Sequence, residues 1–378
     1  MTKILVVGAG MVGSAMALDL SKKYAVTVAD INSTNLNKIQ QKNNAIQIIS
    51  LDVTDETALT NCIVNFNFVV CAVPGFLGFK TLRTIINTGK SVVDISFFPE
   101  NALELDALAK QKNVTAIVDC GVAPGMGNII VGYQNTQMQI NNFECLVGGL
   151  PKIKKWPFNY KAPFSPIDVI EEYTRPARYI ENGNLVVKPA MSDIEHIEMD
   201  GVGTLEAFNS DGLRSLIYTM PHITNMKEKT LRYPGHIEKI IALRDAGFFN
   251  EEPIIINNTK ITPLEFTSKI LFKEWLLGEE EEEITVMKII ISGTQNDQPI
   301  KVEYNLYDEY NATTKTSSMA RTTGYTATAA VCLIVENLFV EKGIFPPELV
   351  GKNAVCYNYI INYLLERGVK YKQEVTIG

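Results

Sequence analysis

Residues Lys3 to Asp30 read K-I-L-V-V-G-A-G-M-V-G-S-A-M-A-L-D-L-S-K-K-Y-A-V-T-V-A-D, and this stretch decides the fold. Ile4 to Val7 is an apolar strand. Gly8, Gly10 and Gly13 form G-x-G-x-x-G around Ala9, Met11 and Val12, and Ser14 to Lys22 carry a helix. A second strand, Ala25 to Ala29, closes on Asp30. In this pattern the first glycine permits a tight turn, the second lets backbone approach a pyrophosphate, and the third lets helix lie close on strand. The pyrophosphate then rests on free N–H groups at the positive end of the helix, and Asp30 accepts hydrogen bonds from ribose hydroxyls. Asp30 is followed by Ile31, Asn32 and Ser33 with no arginine, so the expected cofactor is NAD rather than NADP.

The alternation continues outward. A helix around Thr34 to Lys42 leads to the strand Ala45 to Leu51 and then to Asp52 and Val53. Asp52 either reaches the adenine edge or, with Asp55, caps the helix Glu56 to Asn61. The strand Phe68 to Val73 closes on Pro74 and Gly75, a rim for nicotinamide. A helix over Gly78 to Thr88, the strand Ser91 to Ile95 with Asp94 near its end, a helix over Asn101 to Lys112 and the strand Thr115 to Val118 follow. They run into Asp119, Cys120 and Gly121. Six strands alternating with helices make an α/β, Rossmann-type doubly wound parallel sheet, whose ligands lie outside the strand carboxyl ends.

From about Asn128 the rhythm turns strand-rich, with strands over Phe143 to Val147, Leu185 to Val187, Ile284 to Ser292 and Ile300 to Tyr307. The last two suggest a hairpin across Gly293 to Pro299, and a helix spans Pro234 to Ala246. Near Ser317 helices return, Thr326 to Lys342 and Pro347 to Arg367, apolar on nearly all sides and so expected to be buried. The expected organisation is a nucleotide domain of 1–125 plus 317–378, with an inserted mixed α+β domain over 126–316 for substrate and assembly.

Composition narrows the class. The chain has 378 residues, 46% hydrophobic and 20% charged, enough for two cores. A net charge of −7 argues against nucleic acid or an anionic membrane as partner. Met1 to Lys3 runs straight into the first strand without a leader pattern, and no segment approaches ~18 uninterrupted apolar residues, so a cytoplasmic enzyme is expected. Cys62, Cys71, Cys120, Cys145, Cys332 and Cys356 lack C-x-x-C spacing and read as reduced core thiols, with neither disulfide nor zinc. His196, His222 and His236 are too dispersed for H-E-x-x-H. The acidic run Glu279 to Glu283 reads as a solvated loop.

Several further stretches carry a resemblance: D-C-G-V-A-P-G-M (Asp119 to Met126), V-G-G-L-P (Val147 to Pro151), N-Y-K-A-P-F-S-P (Asn159 to Pro166), L-E-A-F-N-S-D-G-L-R-S-L (Leu205 to Leu216), K-T-L-R-Y-P-G-H (Lys229 to His236) and R-T-T-G-Y (Arg321 to Tyr325). With the glycine turn they resemble the saccharopine dehydrogenase-like family, and within it most the lysine 6-dehydrogenase branch. The resemblance implies a nucleotide domain with an inserted mixed domain, and NAD-dependent oxidative deamination of L-lysine at the ε-carbon. The product semialdehyde closes to a cyclic imine. It also makes a homodimer or larger assembly the expectation. One motif departs: where saccharopine reductases carry S-W-S-P, this chain has Ala162, Pro163, Phe164, Ser165 and Pro166.

That chemistry asks for parts. A substrate carboxylate calls for an arginine fork, with Arg214 and Arg232 as candidates beside structural ion pairs. Hydride leaves only from carbon bearing a neutral amine, so a base is needed. His236, after the turn Tyr233-Pro234-Gly235, is the choice for base or substrate binder, with a helix cap as the alternative. Tyr160 and Lys161 are placed near the nicotinamide or the imine, and Asp119 and Glu206 are acids for the α-ammonium. Two other functions stay open: a carbon–nitrogen-forming reductase making saccharopine or a carboxylated polyamine, and a non-catalytic dinucleotide sensor.

Overall fold

The computed structural model describes residues 1–163, 166–278 and 280–378, with Pro166 and Ile167 described by backbone alone. Phe164 and Ser165 of the Asn159 to Pro166 motif, and Glu279 of the acidic run, lie outside the described residues. The chain separates into two compact units: 1–140 with 294–297 and 319–370, and 141–293 with 298–318 and 371–378.

The first unit opens with β1 (Lys3–Val7), α1 (Met11–Leu20), β2 (Ala25–Asp30), α2 (Ser33–Lys42), β3 (Gln47–Ser50), α3 (Glu56–Ile63), β4 (Phe68–Cys71), α4 (Gly75–Asn87) and β5 (Val92–Asp94). A 3₁₀ turn over Ala102–Leu105, α5 (Asp106–Gln111), β6 (Thr115–Ile117) and α6 (Met126–Gln134) follow. The second unit then builds β7 (Gln139–Pro151), α7 (Pro166–Thr174), β8 (Ala177–Glu181), β9 (Asn184–Lys188), β10 (Glu195–Met199), β11 (Gly203–Asn209), α8 (Leu216–Thr219), β12 (Asn225–Arg232) and α9 (His236–Asp245). It continues through β13 (Ile254–Ile256), β14 (Thr259–Ile261), α10 (Pro263–Trp275), β15 (Glu283–Gln295) and β16 (Gln298–Glu309). The chain returns to the first unit with α11 (Ser318–Val335), β17 (Gly343–Phe345), α12 (Pro347–Gly351) and α13 (Ala354–Glu366), and ends in β18 (Tyr371–Ile377).

In the first unit the sheet order is β17-β6-β5-β4-β1-β2-β3, all parallel. Six of these strands give the doubly wound order, which reverses between β1 and β4. Central β1 and β4 are buried along Ile4 to Val7 and Phe68 to Cys71, as strands covered by helices on both faces must be. Helix α1 is anchored at Asp19, whose carboxylate accepts from Arg367 Nε (3.0 and 2.8 Å), Tyr363 OH (2.6 Å) and Thr328 Oγ1 (2.9 Å). Burial by itself would raise that carboxyl; the Arg367 and Tyr363 donors outweigh it and hold it below its ordinary value. The larger sheet of the second unit is mixed, β10-β11-β12-β7-β15-β16-β18, with β8 and β9 branching from β12. Its β12 runs parallel to β7 and antiparallel to β11.

Several expectations need correcting. The parallel sheet has a seventh strand, β17, only three residues long between helices and so without a readable pattern. The helix expected over Thr326 to Lys342 runs from Ser318 to Val335; beyond its end Asn337 takes φ of 59° while Leu338 N–H bonds back to Leu333 O at 2.8 Å. The last helix is broken at Asn353, whose side chain accepts the Val355 and Cys356 N–H groups and starts α13 afresh. Boundaries expected at 125 and 317 fall at 140 and 319, because buried α6 packs on α12 and α13. Residues 371–378 leave the first unit, because β18 pairs with β16 along its length.

Candidate functional site

The glycine turn is shaped by contact. Gly8 has φ of 109°, and a Cβ on it would stand 2.3 Å from Ala72 O; one on Gly13 would stand 2.1 Å from Gly8 O. No side chain fits at either position. A Cβ on Gly10 meets nothing within 4 Å, so the space above it is open. Helix α1 starts there with no side-chain cap and no acid in its first turn, which leaves its positive end to an anion. Asp30 faces the same turn: Oδ2 accepts Ala9 N–H at 2.6 Å and Oδ1 accepts Asn32 N–H at 2.7 Å. These residues fit a dinucleotide pyrophosphate with its adenosine ribose at Asp30.

Along the strand carboxyl ends, Asp52 is exposed and its Oδ1 accepts the Thr54 N–H and hydroxyl, at 2.9 and 2.7 Å. The cap of α3 is Asp55, which accepts the Thr57 and Ala58 N–H groups. Val53 packs on the core of this unit, Val73 is buried, Pro74 precedes the first turn of α4 and Gly75 is buried in it. Asp94 ends β5 and is wholly buried, its Oδ1 accepting the Ser96 N–H at 2.8 Å. Asp119 has φ of 51° and is 5% exposed, just ahead of Gly121, where a Cβ would press on Pro124 O and Thr323, each at 3.1 Å.

In the second unit the structure brings His236, Arg232 and Tyr160 together, but as a closed network. His236 has no exposed surface. Its Nδ1 lies 2.9 Å from Phe158 O, which only accepts, so Nδ1 carries the proton and Nε2 accepts from Tyr173 OH at 2.9 Å. Burial, reinforced by the Arg232 charge, pushes its pKa down to about 3. This corrects the base assignment: the ring is neutral with both nitrogens engaged. The same holds for Arg232, which donates to Glu172 Oε2 (2.8 Å), Tyr173 OH (3.0 Å), Leu231 O (3.0 Å) and Tyr160 OH (3.4 Å). Tyr160 is 3% exposed, and its hydroxyl is held well above its ordinary pKa by burial. Lys161 Nζ donates to Glu274 O at 2.6 Å. Glu206 accepts the Gly235 and Ile237 N–H groups at 2.9 and 3.4 Å and so caps α9, which occupies the carboxylate meant for an ammonium. Arg214 is 5% exposed at φ of 53°.

Sequence reading missed Glu172 and Tyr173 of α7, the partners that close this network, and Ser96 beside Asp94. The apolar face Val169, Ile170 and Tyr173 at helical spacing was the available signal for α7. The six cysteines are free thiols. Among the described residues no group of three or more His, Cys, Asp or Glu could hold a metal ion, and no helix is long and apolar enough to cross a membrane.

A doubly wound sheet with this turn, open helix end and strand-end acid defines a dinucleotide-binding α/β protein. Residues 4–117 match the family described as saccharopine dehydrogenase NADP binding domain, and 121–369 match the saccharopine dehydrogenase C-terminal domain. The chain belongs to the saccharopine dehydrogenase family. It is 28% identical over 268 residues to saccharopine dehydrogenase (NADP(+), L-glutamate-forming) of Schizosaccharomyces pombe, covering 66% of this chain and 59% of the relative. With the Arabidopsis thaliana alpha-aminoadipic semialdehyde synthase it shares 25% over 270 residues, 65% of this chain and 25% of that one. The fold matches apo saccharopine dehydrogenase (L-Glu forming) from Saccharomyces cerevisiae over 100% of both chains, at a TM-score of 0.81 and 19% identity. Homospermidine synthase from Legionella pneumophila, solved with NAD, matches at a TM-score of 0.69 and 13% identity over 99% of this chain and 91% of that one.

Proposed function

We propose that the protein is an NAD-dependent oxidoreductase acting on the carbon–nitrogen bond of an amino-acid amine, with L-lysine oxidised at its ε-carbon to the semialdehyde that cyclises. Bound nicotinamide supplies the hydride acceptor. Gly8, Gly10 and Gly13 leave room for the pyrophosphate, the first turn of α1 offers it N–H groups, and Asp30 at the end of β2 favours a ribose hydroxyl over a 2′-phosphate. Within the first unit, Asp119 is the candidate partner of a substrate ammonium.

The observation that carries the choice of substrate is how the cations of the second unit are engaged. Arg232 pairs with Glu172 at 2.8 Å, Arg175 with Glu171 at 3.0 Å and Lys229 with Glu195 at 2.6 Å, while Lys161 is held by a backbone carbonyl. Saccharopine brings three carboxylates and lysine one, and a desolvated carboxylate without a partner is costly. That balance supports the smaller substrate. The names of the relatives favour a second reading, saccharopine as substrate with NADP. A spectrophotometric screen of L-lysine, saccharopine and L-lysine plus 2-oxoglutarate, each with both cofactors, separates the two. NADH and an o-aminobenzaldehyde-reactive imine from lysine alone are expected. Faster oxidation of saccharopine, or reduced cofactor consumed only with lysine and 2-oxoglutarate together, selects the second reading.

A further inference from the structure

Asp94 is a buried acid whose charge the proposed reaction leaves unused. Its Oδ1 accepts the Ser96 N–H at 2.8 Å and its Oδ2 the Ser96 hydroxyl at 3.4 Å. The titratable groups facing it are Cys71, its register partner on β4, and Asp119 and Cys120 beyond β6. Cys120 N–H donates to the Asp94 backbone carbonyl at 3.1 Å. Both thiols are raised by burial and stay protonated near neutrality. No cation pairs with Asp94 among the described residues. An asparagine Oδ1 would accept the Ser96 N–H without a buried charge, so that bond alone does not call for an acid here.

Its place in the sheet suggests a reason. A doubly wound sheet takes one mononucleotide on each half. Asp30 assigns the adenosine to β1, β2 and β3, which leaves β4, β5 and β6 for the nicotinamide, and Asp94 ends the middle strand of that half. The oxidised ring carries a positive charge that the reduced ring lacks. We propose that Asp94 sets the charge of this half of the site and so distinguishes the two oxidation states of the cofactor: ionised, it favours the oxidised ring; protonated, it favours neither. Burial, with the Asp119 charge adding to it and the Ser96 and Cys71 donors opposing it, pushes Asp94 up to about 7. Affinity for the oxidised cofactor therefore rises with pH through neutrality, while affinity for the reduced form stays level. The inference rests on the dinucleotide reading and not on the amine substrate.

The test is binding of NAD and NADH, and of NADP and NADPH, to the full chain by calorimetry from about pH 6 to about pH 8. Wild type should bind the oxidised member of the tighter pair on the order of tenfold better at the upper pH. D94N should lose that pH dependence and bind the reduced member as wild type does. A purely structural role would lower the melting temperature of D94N and leave the oxidised-to-reduced ratio following pH as before, which overturns the proposal. So does a pH dependence that vanishes in D119N and persists in D94N. Should D94N fail to fold, wild type decides: oxidised-cofactor binding at neutral pH, compared in two buffers of different ionisation enthalpy, must release protons, and none released overturns it. Failure of both pairs to bind removes the dinucleotide reading and this inference together, whereas binding with a pH-flat ratio removes this inference alone.

Discussion

Replacing Arg232 by Met distinguishes a structural arginine from a substrate-binding one. Arg232 is 2% exposed, and its guanidinium makes four hydrogen bonds, one to Glu172, while lying 4.5 Å over the Tyr160 ring. The substitution leaves the Glu172 carboxylate inside the unit without its closest cation, and breaking a buried pair in this way costs about 3–5 kcal/mol. The Glu172 side chain keeps 21% exposure, which places the loss near the lower end. For a cooperative unit of roughly 150–250 residues each kcal/mol moves the midpoint by roughly 2–4 °C, so R232M should melt roughly 6–12 °C below wild type. Circular dichroism melts at neutral pH read this directly. The double variant R232M/E172Q should recover part of the loss, because no lone charge then remains buried. NADH affinity should be unchanged in both. An R232M protein that melts within about 2 °C of wild type, yet has KM for the amino acid raised more than about tenfold, would refute the reasoning and return Arg232 to the substrate.

Three further outcomes follow from the first unit. Gly13→Ala puts a methyl 2.1 Å from Gly8 O, a backbone atom that cannot rotate away; NADH binding followed by fluorescence should weaken by at least about tenfold, and a wild-type affinity would show that the turn is soft. Asp30→Ser with Ile31→Arg should narrow or invert the cofactor preference in kcat/KM, and a wild-type enzyme more efficient with NADP would end the assignment of Asp30 to a ribose hydroxyl. Asp94 is raised from 3.8 to about 7 by burial, so between those values the folded chain holds a proton that the unfolded chain has lost. Stability from this group is therefore complete below about pH 4 and is lost as pH rises through about 7, by about 4 kcal/mol if the whole shift is realised. Urea titrations should show that slope in wild type and not in D94N.

The nucleotide fold was legible because its determinants are local. Central parallel strands buried on both faces must be continuous apolar runs, as Ile4 to Val7 and Phe68 to Cys71 are, and the glycine turn is fixed by contacts among Gly8, Gly13 and Ala72. What escaped was set by pairing at long range. Three-residue β17 exists because β6 offers it an edge, and β18, largely exposed, exists because β16 does. The parallel pairing of β12 with β7, and the branch that β8 and β9 make from β12, have no counterpart in local periodicity.

The side-chain sites divide the same way. Asp30 could be placed because the strand that ends in it and the turn that it meets lie within one short stretch. His236 and Arg232 could not, because what decides their roles comes from α7: Tyr173 is 63 residues from His236, and Glu172 is 60 from Arg232. A histidine that is one of three invites a catalytic reading on rarity alone; burial with both ring nitrogens engaged removes it. Asp94 is the converse case. In sequence it is one of many strand-end acids, and only the folded unit shows a carboxylate with no exposed surface and, among the described residues, no paired cation. Counter-charge therefore separates the two kinds of buried group here. The charge on Arg232 is neutralised within the network that it holds together, whereas Asp94 has no paired cation among the described residues, and burial raises its pKa instead.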